Sequence, residues 1–217
     1  MATPTVENYL KTLLALAEDG GQVSLSDLSK SLGVSTPSAN NMVKKLSERG
    51  LVEYQKYRPL ALTPAGRQEA ALIVRKHRLT EMFLVEQMGF GWEEVHPIAE
   101  QIEHVKSPAF FARMDELMGF PTTDPHGSPI PDAEGNLSPE KRQRLSDCAE
   151  GQTAVVTGLA HSSSDFLLLM NDRKIALQTE ITVHHRAPFD GSLTVSYPGH
   201  ERVVLSKTVG DCILVDA

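Results

Sequence analysis

Three of the eight histidines in this 217-residue chain fall between positions 77 and 104, interleaved with carboxylates: His77, Glu81, His96, Glu100, Glu103 and His104. Imidazole and carboxylate donors without thiolate suit Mn(II) or Fe(II) better than the soft metals, although zinc also accepts them. At ~100° per residue, Glu100, Glu103 and His104 fall within a ~100° arc of one helix. His77 and Glu81 stand one turn apart on the preceding helix and share a face. Crowded carboxylates repel one another and a bound cation removes that cost, so folding and metal binding are expected to be coupled. The bland alternative is a solvated acidic face with incidental histidines. A metallohydrolase would also use such donors, around an activated water. The chain, however, has no HExxH, GxSxG or P-loop pattern.

These residues must be positioned by helices, and the sequence marks where those begin and end. Residues 5–18 carry Val6, Tyr9, Leu10, Leu13, Leu14 and Leu16 at a helical period, with Gly20 and Gly21 as the stop. Ser24 precedes a short helix stopped by Gly33, and Ser35 caps a second one, with Pro37 in its first turn and Gly50 after its end. Two short helices around the turn GVS have helix-turn-helix form. LVEY and LALT then flank QKYRP as a hairpin with a basic tip, a wing. In this arrangement Ser35, Thr36, Pro37, Ser38, Asn40 and Asn41 are the candidate base readers, because Asn suits adenine edges and Pro and the Thr methyl suit thymine methyls. Lys44, Lys45, Lys56 and Arg58 are placed for phosphates.

Thr63 and Pro64 open a long helix through about Gln87, ended by Gly89. A second helix runs to about Val105 with His96 at its entry and Pro97 in its first turn. Ser107 and Pro108 start a third, FFARMDELM, for a core or subunit interface. Residues 121–139 contain five of the thirteen prolines and read as a linker or wrapped arm. From about 150 to 217 the runs TAVVTGL, ITVHHRA, SLTVSY, RVVLS and CILVDA, with the helical insert SDFLLLMNDRK, fit a small β-barrel. His184 and His185 alternate along one strand, so at most one could join a site. The expected fold is mainly α with a β tail, in three parts: a winged-helix domain at 1–70, a helical metal-binding and dimerisation domain at 71–140, and a small barrel at 150–217.

Composition sets the outer bounds. A hydrophobic content of 41% with 23% charged residues describes an ordinary folded chain. The N-terminus lacks the basic and apolar regions of a signal peptide, and no apolar run approaches the ~18 residues of a membrane span, so a cytoplasmic protein is expected. Cys148 and Cys212 sit in no CxxC pattern and imply no disulfide framework or zinc knuckle. The net charge of −7 divides unevenly: residues 1–76 carry +3 and residues 77–217 carry −10. A mildly basic head on an acidic body remains compatible with duplex DNA.

Together these segments resemble the diphtheria-toxin-repressor and manganese-transport-regulator (DtxR/MntR) family of metal-dependent regulators, in its three-domain form. VENYLKTLLAL resembles the family's first helix, SDLSKSLGVSTPSANNMVKKLSERGLVEYQKYRPLALTPAGR its winged helix, and RKHRLTEMFL and VHPIAEQIEHV its metal-ligand segments. GSPIP resembles the end of the dimerisation region, and the β tail is similar to a Src-homology-3-like barrel. The resemblance implies an ancillary metal site at His77, Glu81 and His96, and a primary site at Asn8, Glu100, Glu103 and His104. Glu7 is an alternative donor beside Asn8, and His161, Ser163 and Asp165 stand where three-domain members lend barrel ligands. Glu100 replaces the cysteine of iron-type members and points to Mn(II), with Fe(II) second and Zn(II), Co(II) or Cd(II) as surrogates. Asn8 departs from the aspartate or methionine of the family. Lys11 stands where two-domain manganese regulators place a further carboxylate, so their binuclear geometry does not carry over. The implied function is a homodimeric, manganese-dependent repressor of metal-uptake genes that binds a pseudo-palindromic double-stranded operator. A winged-helix regulator gated by another ligand is the alternative from the residues alone.

Overall fold

The computed structural model describes residues 3–18, 22–56, 58–137 and 141–216. Gly20 and Gly21, the expected stop of the first helix, and Tyr57 at the wing tip lie outside the described residues. The chain forms two compact units. The first comprises Met1–Thr80, Ala99–Thr122 and Ile130–Ser138; the second comprises Glu81–Ile98, Thr123–Pro129 and Pro139–Ala217.

The first unit opens with α1 (Pro4–Glu18), whose Val6, Tyr9, Leu10, Leu13 and Leu14 are buried on one stripe. Helix α2 (Leu25–Ser31) starts in a capping box: the Ser24 hydroxyl accepts from the Asp27 amide and the Asp27 carboxylate accepts from the Ser24 amide. That exchange satisfies two amides which a helix start leaves without intrahelical partners. Helix α3 (Thr36–Glu48) is capped by Ser35, which accepts from the Ser38 amide at 3.3 Å. Strands β1 (Val52–Glu53) and β2 (Ala61–Leu62) pair antiparallel as the wing. Leu10, Leu13, Leu14, Leu28, Val43, Leu46 and Ala70 form the buried centre of these elements.

Helix α4 (Pro64–Met88) packs its first turn tightly under the wing. A Cβ on Gly66 would lie 1.9 Å from the Leu51 carbonyl oxygen, so only glycine allows this approach. Thr63 caps the turn, donating to the Gly50 carbonyl at 2.7 Å and accepting from the Gly66 amide at 3.0 Å. Helix α5 (His96–Ile102) is shorter than its sequence suggests. Glu103 and His104 occupy a turn after it, closed by a hydrogen bond from the Val105 amide to the Ile102 carbonyl at 2.9 Å. Helix α6 (Pro108–Leu117) follows after Ser107.

The Pro-rich stretch is ordered by two aspartate-centred turns rather than left as a loose linker. Asp124 accepts from the amides of His126 (2.9 Å) and Ser128 (2.8 Å), and Asp132 from those of Glu134 (3.0 Å) and Asn136 (2.8 Å). Such side-chain-to-backbone bonds replace the ladder that proline forbids.

In the second unit the strands are β3 (Arg142–Arg144), β4 (Thr153–Leu159), β5 (Glu180–Arg186), β6 (Leu193–Tyr197), β7 (His200–Leu205) and β8 (Ile213–Asp216). They form one antiparallel sheet in the order β3-β8-β4-β5-β6-β7. The register shifts between Val156 and Gly158, Val183 and His185, and Val195 and Tyr197, and such interruptions of the ladder let a strand bend over its core. That core joins Val156, Ile181, Val183, Val195 and Val215 to Phe166, Leu167 and Met170 of α7 (Ser164–Arg173). Strand β3 and helix α8 (Lys207–Cys212) are additions to the five strands and one insert read from the sequence.

Candidate metal centre

Glu103 is the hub of the first unit's donor cluster. Its side chain is 0% exposed. One carboxylate oxygen lies 2.5 Å from His77 Nδ1, and Lys11 Nζ donates to both oxygens at 2.7 and 2.8 Å. Burial alone would raise the Glu103 pKa, but the His77 hydrogen bond and the Lys11 charge outweigh it and hold the carboxyl below its ordinary value. Lys11 also donates to Glu100 at 2.5 Å, so the repulsion expected between Glu100 and Glu103 is met by an ammonium. His77, Glu100 and Glu103 each offer one ligand atom within 4.8 Å of the others.

His104 is aimed by Glu7. Its Nδ1 lies 2.6 Å from a Glu7 oxygen, while its Nε2 faces Glu103 at 3.8 Å. A carboxylate on one ring nitrogen fixes which nitrogen is left for a metal. Glu7 thus stands behind His104, its carboxylate on the nitrogen turned away from Glu103. Asn8, beside Glu7 on α1, has a buried amide oxygen with no hydrogen-bond partner. A buried oxygen of this kind is costly unless something completes it. With two carboxylates and an imidazole converging at Glu100, Glu103 and His77, the residues present fit a hard divalent ion.

The second unit holds a separate group. Glu81, Asp124 and His126, all buried, each offer a ligand atom within 4.8 Å of the others. His126 Nδ1 stands 3.8 Å from Glu81 and 4.0 Å from Asp124, and its Nε2 bonds the Trp92 carbonyl at 2.9 Å. His96, half exposed, lies 3.2 Å from Glu81 through its Nδ1. The loop is pinned by Gly127 at φ +85°, where a Cβ would meet the Thr157 carbonyl oxygen at 2.4 Å. Asp124 and His126 are the donors that sequence reasoning missed; the signal was an Asp two residues before a His-Gly pair, between prolines. His161, Ser163 and Asp165 are exposed around the start of α7, and His161 packs against Phe166.

The DNA-facing candidates sit together in the first unit. Ser35, Thr36, Pro37, Ser38, Asn41, Lys44, Lys45, Lys56 and Arg58 are exposed, whereas Asn40 is partly buried and accepts from the Tyr54 hydroxyl at 2.8 Å. A groove of about 660 Å³ runs between α3 and the wing, lined by Ser24, Asn40, Tyr54, Lys56 and Arg58.

A capped, polar recognition helix with a basic wing, coupled through α1 to clustered carboxylates and imidazoles, defines a winged-helix DNA-binding protein with an intrinsic metal site. Residues 1–60 match the family described as "Iron dependent repressor, N-terminal DNA binding domain", residues 63–132 its "metal binding and dimerisation domain", and residues 143–217 the "FeoA domain". The iron-dependent repressor IdeR of Mycobacterium tuberculosis is 31% identical over 224 residues, spanning 98% of this chain and 96% of its own. A solved "Manganese-dependent transcriptional repressor complex with manganese" is 34% identical, with a TM-score of 0.90 over 98% of this chain and 99% of that one. The structure of ScaR with bound Zn2+ is 29% identical, with a TM-score of 0.81 over 97% and 98%. The chain belongs to the DtxR/MntR family of metal-dependent repressors, with an FeoA-like C-terminal domain. Membership of a repressor family sets aside the metallohydrolase alternative. Among the described residues, no helix is long and apolar enough to cross a membrane.

Proposed function

We propose that this protein is a Mn(II)-dependent, homodimeric repressor that binds operator DNA upstream of metal-uptake genes, with its chain organised as 1–70 for DNA, 71–140 for metal and dimerisation, and 150–217 for the barrel. The observation that carries the reading is the convergence of His77, Glu100 and Glu103, each offering a ligand atom within 4.8 Å of the others, with His104 Nε2 3.8 Å from Glu103; the buried, unpartnered amide oxygen of Asn8 on α1 adds to it. Asn8, Glu100, Glu103 and His104 would hold the ion, with His77 beside them, and in the second unit Glu81, His96, Asp124 and His126 would supply ancillary donors. Through Asn8, Glu100, Glu103 and His104 an ion held there would tie α1 to α5 and the turn after it. Because α1 shares one hydrophobic core with α2 and α3, that link would restrain the recognition helix. Glu7 keeps the His104 ring turned toward Glu103, and His77 holds Glu103 itself. The metal favours repression only as far as the DNA-competent arrangement binds it more tightly than the alternatives.

The oxygen-rich set without a thiolate favours Mn(II), with Fe(II) as the competing ion. Gel-shift binding to the chain's own upstream DNA and to metal-transporter promoters, with Mn(II), Fe(II) and Zn(II) titrated against a chelator, tests the proposal. Complexes that form with Mn(II) and dissolve on chelation support it. A response confined to Fe(II) would reassign the metal, and binding indifferent to every metal would overturn the switch.

A further inference from the structure

Lys11 belongs to the donor cluster, yet its ammonium has no lone pair to offer a metal. Its Nζ lies 2.5 Å from Glu100 and 2.7 and 2.8 Å from the two oxygens of Glu103. Three N–H groups meet three carboxylate contacts. The Lys11 side chain is 17% exposed and that of Glu103 is 0%, so solvent screens this pairing far less than an ordinary surface ion pair. Asn8 and Lys11 are three residues apart on α1 and share a face. The helix therefore carries a buried unpartnered oxygen one turn from a cation that reaches Glu100 on α5 and Glu103 on the turn after it.

Resting on the reading that a divalent ion is held at Glu100 and Glu103, we infer that Lys11 is a tethered counter-cation that competes with the metal for both carboxylates and so sets the metal concentration at which the protein responds. The ammonium and a divalent ion repel each other at this range, and both need the same oxygens. Metal entry requires the ammonium to leave, and the free energy of its ion pairs is subtracted from metal affinity. The ammonium also offsets carboxylate repulsion when metal is scarce, preserving a contact from α1 to the turn after α5. The site then responds by exchanging a singly charged link for a doubly charged one, instead of springing apart.

The test is calorimetric titration of Mn(II) into the full chain stripped by chelator, comparing wild type with Lys11→Met and Lys11→Arg. Lys11→Met is expected to bind Mn(II) about tenfold more tightly, a coupling of ordinary size between two sites. Its unfolding temperature without Mn(II) should fall and its rise on adding Mn(II) should grow. Lys11→Arg, which keeps the charge, should bind no more tightly than wild type. Should Lys11→Met not fold, Lys11→Gln carries the same comparison, since it keeps a hydrogen-bond donor without the charge. A neutral variant with unchanged or weaker Mn(II) affinity overturns the inference, because a lysine that merely positions the carboxylates would lower affinity when lost. Wild type that fails to bind Mn(II) would instead sink the proposed function itself.

Discussion

Glu103 concentrates the chemistry of the first cluster because burial makes each of its partners count. An unpaired carboxylate at that depth would cost several kcal/mol of desolvation, whereas Lys11 and His77 between them occupy both its oxygens. Glu103→Gln keeps the shape and removes the charge. It is expected to abolish Mn(II)-dependent operator binding in a gel shift while leaving the helical signal in circular dichroism; binding that persists unchanged would remove Glu103 from the switch. The sequence exposed this residue well, since carboxylates and histidines at helical spacing are visible without coordinates. It did not expose Glu7 acting on His104, because the pairing spans 97 positions and no local period encodes it. Lys11 read as an obstacle to a family geometry, and its ion pairs with Glu100 and Glu103 are equally non-local. Asp124 and His126 were hidden for the same reason: their partner Glu81 lies on a distant helix.

Elements were legible where capping and glycine chemistry are local. Helix α3 begins at a Ser35 cap and α4 ends before Gly89 at φ +73°, both as the sequence predicts. Helix α5 was not, because nothing in EQIEHV marks a stop at Ile102, and the turn that carries Glu103 and His104 is held by a backbone bond and by distant side chains such as Lys76, which donates to the Glu103 carbonyl at 2.6 Å. Small elements such as β3 and α8 were also missed: three or six residues give too little periodicity to detect. The cap and the reading face of α3 can be separated by experiment. Ser35→Ala removes the bond to the Ser38 amide and should cost about 1 kcal/mol of stability in urea unfolding. Asn41 is exposed and lies beside Asn40, whose amide oxygen is already engaged by Tyr54. Asn41→Ala should leave stability within about 0.5 kcal/mol. It should weaken specific operator binding by roughly 1–3 kcal/mol if the side chain makes a bidentate base contact. A variant equally weakened on unrelated DNA would mean that Asn41 supports backbone contact and not base reading.

At the scale of the whole molecule, charge and symmetry decide how DNA is met. The basic residues of the first 76 positions are few, a net +3 against −10 for the remainder, so one copy has little electrostatic hold on a duplex. Lys44, Lys45, Lys56 and Arg58 give each copy a handful of phosphate contacts, and affinity must come from two copies acting together. Dimerisation supplies this, because the second recognition helix then binds from a fixed position and not from solution. In a two-fold dimer of helix-turn-helix domains, the half-sites lie about one helical turn apart, or a multiple of it. Inserting about five base pairs between the operator half-sites rotates one half-site to the opposite face of the duplex. Mn(II)-dependent affinity should then fall to the level of unrelated DNA in a fluorescence-anisotropy titration, whereas inserting a full turn tests how much reach the dimer has. If affinity is indifferent to the half-turn insertion, each copy reads its half-site alone. The metal would then act within a single chain on the posture of one recognition helix, and would not set the distance between two.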